Sequence, residues 1–271
     1  MTQPSIIMVA PNGARKTHKD HKHLPVSIAE TVEEAKQCFL AGATVLHGHV
    51  RGSHDEHLLD AGLYQELMSE MKTQVPDMVL QVTTEAVGIY TPPQQIDCVK
   101  NCHPEFISMG LREITEGFQS TQYAIEFFNW CDEHHVRVQH ILYDDADLQQ
   151  FLRLRDEGVI PSKHNCVLFV LGRYSVDFQS TPDDLTPFLN NDIKSLDWFT
   201  CAFGHREQDC VLRAIEEGGH ARVGFENNLY LANGEIAEST SELVITLKQV
   251  AQNKGIVIAN GQQTRGILGL D

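Results

Sequence analysis

The chain has 271 residues, 42% of them hydrophobic, and its 37 acidic and 21 basic side chains leave a formal charge of −16. That length accommodates one large α/β barrel, and the charge argues against nucleic acid and against attachment to an anionic membrane. No apolar run reaches the roughly 20 residues that span a bilayer; the first residues, MTQPSIIMVAPNG, carry no charged leader region, and seven scattered cysteines without a CxxC fit a reduced, cytoplasmic protein.

In chain order, the first apolar run is Ser5–Ala10, followed by Pro11, Asn12 and Gly13. The basic cluster Arg15–His23 comes next, with His18, His21 and His23; it is either a loop that attracts an anionic substrate or a solvated loop. Thr31 and Glu34 read as a capping box for a helix with Val32, Ala35 and Phe39 on its inner face, closed by Gly42. The second run, Ala43–His49, holds His47 and His49 and is followed by Arg51. A stripe of Tyr64, Met68, Met71 and Val75 precedes the third run, Met78–Thr83, which leads into Thr84 and Glu85. The fourth run, Glu105–Met109, contains Ser108. The stretch from there to about Thr121 carries no clear pattern.

Ala124, Phe127, Phe128 and Cys131 mark the next helix, which His134 and His135 close where a cation suits the helix dipole. The fifth run is Val136–Leu142, followed by a helix with Leu148, Phe151 and Leu152. The sixth, Cys166–Leu171, ends at Gly172 and Arg173 and precedes a stripe of Leu185, Phe188 and Leu189. The seventh, Leu196–Ala202, leads to Gly204 and His205, and then to a helix with Val211, Ala214 and Ile215. The eighth, Ala221–Glu226, carries Arg222 and runs into Asn227 and Asn228. Ser239 and Glu242 read as a second capping box, opening a helix with Leu243, Leu247 and Val250.

The runs are continuous rather than alternating, as in strands buried on both faces of a parallel sheet. Eight such units predict an α/β fold, a (β/α)8 TIM barrel forming one domain over residues 1–271. Residues 259–271 are read as a C-terminal extension packed on the barrel or on a partner subunit. A doubly wound open sheet is the alternative, because spacing does not prove closure.

In a barrel the chemistry lies at the C-terminal ends of the strands. His47 and His49, two apart on one strand, send both imidazoles to the same side. Two histidines plus a carboxylate from another strand make a catalytic zinc set with an open position, and Glu226 is the carboxylate candidate. Manganese and iron are the alternatives for these ligand types. Arg222, four residues before Glu226, reads as an inward arginine that binds a substrate carboxylate, orients an acid or pairs with Glu226 itself.

APNGA, AGATVLHGHVRG, LQVTTE, PEFISMG and above all GGHARVGFENN resemble the beta-keto acid cleavage enzyme family, the relatives of 3-keto-5-aminohexanoate cleavage enzyme. The resemblance runs from about Ile6 to Leu231. It implies a (β/α)8 barrel and one zinc ion per chain held by His47, His49 and Glu226. It implies a reversed Claisen exchange in which a beta-keto acid and acetyl-CoA give acetoacetate and a new acyl-CoA. It also implies homotetramers or homodimers. Arg222 matches the family's arginine, and Thr83 its Ser/Thr after strand 3. Asn12, Ser108 and Asn227 are the remaining expected substrate contacts.

Four positions depart from the family pattern. Asn227 stands where an aspartate is usual, and an amide cannot take a proton. Arg15 stands where an acid is usual, and Ile141 where a glutamate is usual. Glu85 stands where glycine is common, and the expectation is that it supplies the missing catalytic carboxylate. A metal-dependent carbon–carbon lyase or hydrolase that does not use CoA is the alternative activity, and a metal-binding regulator without turnover is a third.

Overall fold

A computed structural model describes residues 3–117 and 121–270. Eight parallel strands close into a barrel: β1 (Ile7–Val9), β2 (Val45–Gly48), β3 (Val79–Thr83), β4 (Phe106–Gly110), β5 (Arg137–Leu142), β6 (Cys166–Leu171), β7 (Asp197–Ala202) and β8 (His220–Val223). Each strand pairs with its neighbours in sequence, and β1 closes the ring against β8 with Met8 opposite Arg222. Closure excludes the open-sheet alternative.

All eight predicted runs become strands, with different ends. The eighth stops at Val223 rather than Glu226 because the chain turns at Gly224, which has φ +146°. A Cβ there would sit 2.3 Å from the Ala10 carbonyl oxygen, so only glycine fits. Glu226 therefore reaches the barrel mouth from a turn, not by alternation along a strand. His49 likewise lies one residue beyond β2 and leads into a small hairpin, Val50–Arg51 with His57–Leu58, that the sequence reading did not contain.

The first helix starts earlier than expected. Its N-cap is Ser27, whose hydroxyl accepts from Glu30 N while the Glu30 carboxylate accepts from Ser27 N, so the capping box is Ser27–Glu30 and not Thr31–Glu34. Thr31 sits in the first turn and donates to the Ser27 carbonyl oxygen. At the other proposed box Ser239 does cap its helix, accepting from Glu242 N, but the Glu242 carboxylate accepts from Glu238 N. A helix over Pro92–Cys102 had no periodic signal; its first-turn prolines lack N–H groups that the turn leaves free anyway.

The segment Gly261–Leu268 is a helix. Thr264 shares a hydrogen bond with Thr44 at 2.7 Å, and Leu268 is buried with Ile6, Val45 and Phe106. It packs across the N-terminal end of the barrel, leaving the opposite end open. Among the described residues no helix is long and apolar enough to cross a membrane.

Candidate active site

Two adjacent strands fix the first ligand. His47 on β2 lies in register with Gln81 on β3, and its Nδ1 is 2.7 Å from Gln81 Oε1. The Nδ1–H donates, which leaves the Nε2 lone pair facing the barrel mouth. Gln81 Nε2 in turn donates to Gln139 Oε1 at 3.0 Å on β5. His49 Nε2 lies 3.0 Å from His47 Nε2. Glu226 Oε2 lies 3.5 Å from His47 Nε2 and 3.7 Å from His49 Nε2. The three ligand atoms fall within 4.8 Å of one another.

Glu226 is placed by its turn. Its N–H donates to the Ala10 carbonyl oxygen at 3.0 Å, and Gly13, at φ +60°, leaves room for its side chain, where a Cβ would come within 2.5 Å of Glu226 Cγ. Lys16 Nζ donates to the Phe225 and Glu226 carbonyl oxygens at 2.7 and 2.9 Å. Glu207 braces the same turn by accepting from Gly224 N and Asn228 Nδ2, both at 3.2 Å. Arg51 ties the β1 loop to the hairpin through the carbonyl oxygens of Gly13 and Lys16.

The donor set fits a divalent cation. Glu226 Oε2 is buried without a hydrogen bond among the described residues, as is His49 Nδ1. Burial, then the nearby Arg222 charge, lowers His47 to about 4, and burial also pushes His49 down. Both rings are therefore neutral, the form that ligates metal. Burial alone would raise the Glu226 carboxyl, but Arg222, His47 and Lys16 outweigh it and hold it below its ordinary value. Two imidazoles and one carboxylate with an open side match a catalytic zinc site. Gln81→Met is expected to weaken metal binding about 10- to 100-fold, measured by competition with a chromophoric chelator. An unchanged affinity would remove Gln81 from the site.

Around the ligands stand the other expected residues. Arg222 is buried; its Nη2 donates to Asn227 Oδ1 at 3.2 Å and to Glu226 Oε1 at 3.4 Å. Of the three readings for this arginine, pairing with Glu226 is therefore observed. Asn227 Nδ2 and Ser108 Oγ are buried without hydrogen-bond partners among the described residues. Asn12 Nδ2 donates to the His49 carbonyl oxygen at 3.0 Å, and its Oδ1 is free of hydrogen bonds. Thr83 Oγ1 accepts from Glu85 N at 3.1 Å. Glu85 Oε2 stands 4.0 Å from His49 Nδ1, and burial, followed by the Glu226 charge, pushes its carboxyl up to about 7.

A cavity of about 370 Å³ opens beside Glu226 and Glu85 and is lined by Asn12, Arg15, Lys16, Arg173, Phe178 and His205 among others. The basic cluster thus divides. Arg15 and Lys16 face the cavity, whereas His18 pairs with Glu30 at 3.3 Å, His21 packs on Phe225, and His23 bonds the Glu238 carbonyl oxygen. His134 bonds the Trp130 carbonyl oxygen just past its helix.

Gln81, Lys16 and Glu207 went unassigned as site residues in the sequence. Gln81 had a usable signal, since it lies on the same strand face as Thr83. Glu207 looks like an ordinary acid in the first turn of a helix, and only the tertiary fold buries it.

The family model described as beta-keto acid cleavage enzyme matches residues 4–270. The chain is 31% identical to a 3-keto-5-aminohexanoate cleavage enzyme of Acetoanaerobium sticklandii, over 98% of both chains. It is 22% identical to a 3-oxoadipate:acetyl-CoA acetyltransferase of Cupriavidus necator, over 100% of this chain and 96% of that one. Its fold is similar to that of ObcA in a ternary complex with a C4-CoA adduct and oxalate, with a TM-score of 0.73, 15% identity, and coverage of 91% of this chain and 67% of the other. A closed parallel barrel with two histidines and a glutamate gathered at its mouth, matched along nearly its whole length by one family model, belongs to the beta-keto acid cleavage enzyme family.

Proposed function

We propose that the protein is a zinc-dependent acyltransferase that cleaves a beta-keto acid by exchange with acetyl-CoA, giving acetoacetate and a new acyl-CoA. The observation that carries this reading is the convergence of His47, His49 and Glu226 beside a cavity lined by Arg15, Lys16 and Arg173. The names of relatives that transfer to acetyl-CoA support the co-substrate. One zinc ion per chain suits the ligand set, and when bound it polarises the keto oxygen and stabilises enolate-like charge.

The chain's own residues seat the substrate and move its proton. Ser108 and Asn227 offer buried donors without partners, and Asn12 a buried acceptor. With Thr83 they are the proposed contacts for the keto acid. Arg222 fixes Asn227 and balances Glu226. Glu85 lines the cavity and is the proposed base, because Asn227 cannot accept a proton. It removes a proton from C2 of the keto acid. The C2 electron pair bonds to the acetyl carbonyl carbon, and the CoA thiolate leaves. The thiolate then adds to C3 of the original acid, the C2–C3 bond breaks, and Glu85 returns the proton to C2. Atoms balance, and no oxidant is required.

Glu85→Gln is expected to lower turnover about 10²- to 10⁴-fold with zinc content unchanged. Full turnover would remove the base role, and loss of zinc would make Glu85 a positioning residue for His49. The overall reading is tested with zinc-loaded protein and a panel of beta-keto acids, with and without acetyl-CoA. Acetoacetate and acyl-CoA forming only with acetyl-CoA is the expected result. Cleavage without it would favour a CoA-independent lyase, the reading that the amide at Asn227 supports. On the same proposal we expect a cytoplasmic location, consistent with seven free cysteines, and a dimer or tetramer in solution.

A further inference from the structure

We propose that Arg15 and Arg173 form an anion subsite in the cavity wall, and that it holds the second carboxylate of a beta-keto dicarboxylic acid. The proposal deepens the acyl-exchange reading and rests on it. Its basis is how the cations around the barrel mouth are used. Lys16 spends its ammonium on the Phe225 and Glu226 carbonyl oxygens. Arg51 is taken up by the carbonyl oxygens of Gly13, Lys16 and Asp55. Arg222 binds Glu226 and Asn227. Each of these is committed to holding the protein together.

Arg15 and Arg173 are different. Both line the cavity and face the Glu85 charge, and among the described residues neither has a hydrogen-bond or ion-pair partner. Arg173 is nonetheless held: its guanidinium lies 5.6 Å from the ring centres of both Phe178 and Phe203. Contacts with aromatic faces fix the plane of a guanidinium while leaving its N–H groups free. Phe178 reaches it from a backbone at φ +51°, a region phenylalanine rarely adopts. A planar fork held this way suits bidentate binding of a carboxylate. The cavity's acids, Glu85 and Glu226, stand at the metal end, and Asp177 is exposed at the rim.

Two anions in the reaction could fill the subsite, a carboxylate at the far end of the keto acid or a phosphate of CoA. A cavity of about 370 Å³ is too small to enclose CoA together with the keto acid. A far-end carboxylate of the keto acid fits wholly inside it and is the occupant we assign; a CoA phosphate reaching the same wall is the alternative outcome of the test.

The test compares matched pairs of equal carbon count: 3-oxoglutarate with 3-oxopentanoate, and 3-oxoadipate with 3-oxohexanoate. Zinc-loaded wild type is expected to favour at least one dicarboxylate over its monocarboxylate mate by about 10- to 100-fold in kcat/KM. Arg173→Met and, separately, the exposed Arg15→Gln are expected to erase most of that preference, read as the ratio of kcat/KM between mates so that any change common to both acids cancels, while leaving the KM for acetyl-CoA unchanged. Equal use of both mates, or a variant effect confined to the acetyl-CoA KM, would overturn the proposal, and the latter would reassign the subsite to phosphate. Calorimetric binding without acetyl-CoA separates the two levels. Tighter dicarboxylate binding by wild type than by Arg173→Met, with no turnover of any acid, would keep the subsite and sink the reaction. Equal binding of both mates would sink the subsite alone.

Discussion

His47→Ala protein is expected to carry less than about a tenth of a metal ion per chain and to lose about 10³-fold or more in turnover, since a Lewis-acid metal contributes several kcal/mol to such a reaction. Three donors define the site, and His47 is the one whose orientation is most firmly set, through Nδ1 to Gln81. Without its ring, His49 and Glu226 remain as a two-point site, too few to hold zinc in a catalytic geometry. The fold should survive, because His47 sits at the end of β2 and the core of the barrel lies below it. Metal analysis of untreated protein, together with circular dichroism, checks both halves. A metal-replete, active His47→Ala protein would move the metal site elsewhere.

Arg222→Met is expected to destabilise the metal-free protein by about 3–5 kcal/mol, the usual cost of leaving a buried charge without its partner. In a chain of this size that lowers Tm by roughly 6–20 °C. The arginine is 3% exposed, and the Glu226 side chain it faces at 3.4 Å is 17% exposed, so solvent screens the pair little. Adding zinc should recover part of the loss, because the cation replaces the missing positive charge beside Glu226. Thermal unfolding with and without zinc measures this. If the variant melts like wild type in the absence of metal, Arg222 is not what balances Glu226.

Much of this was legible in the sequence, and the reasons differ between elements. The strands were legible because a parallel barrel buries both faces, so Cys166–Leu171 reads as an unbroken apolar run. The helix over Pro92–Cys102 was not, because its buried face combines Gln95 and two cysteines with only two aliphatic residues, Ile96 and Val99. The first helix start was misplaced because Thr31 and Glu34 have the right spacing, and only the backbone conformation shows that Ser27 and Glu30 do the capping.

At the site, His47 and His49 were legible from a two-residue spacing at a strand end. Glu226 was correctly paired with them for a partly wrong reason: it arrives through the Gly224 turn rather than along a strand. Gln81 and Glu207 were not assigned because their roles depend on register and tertiary burial, which composition does not carry. That Arg15 and Arg173 have no hydrogen-bond or ion-pair partner among the described residues belongs to the same class, since a sequence does not say which of several cations the fold has already used.

The central claim is acyl exchange at the His47–His49–Glu226 centre, and one labelling measurement tests it most directly. Zinc-loaded and chelator-treated protein are each incubated with a beta-keto acid and acetyl-CoA carrying ¹³C at the acetyl carbonyl, and the products are read by NMR. The account predicts label at C3 of acetoacetate, with one unlabelled acyl-CoA formed per acetoacetate, in the zinc-loaded sample alone. Label retained on CoA while the keto acid is consumed, or equal exchange after chelation, would contradict it.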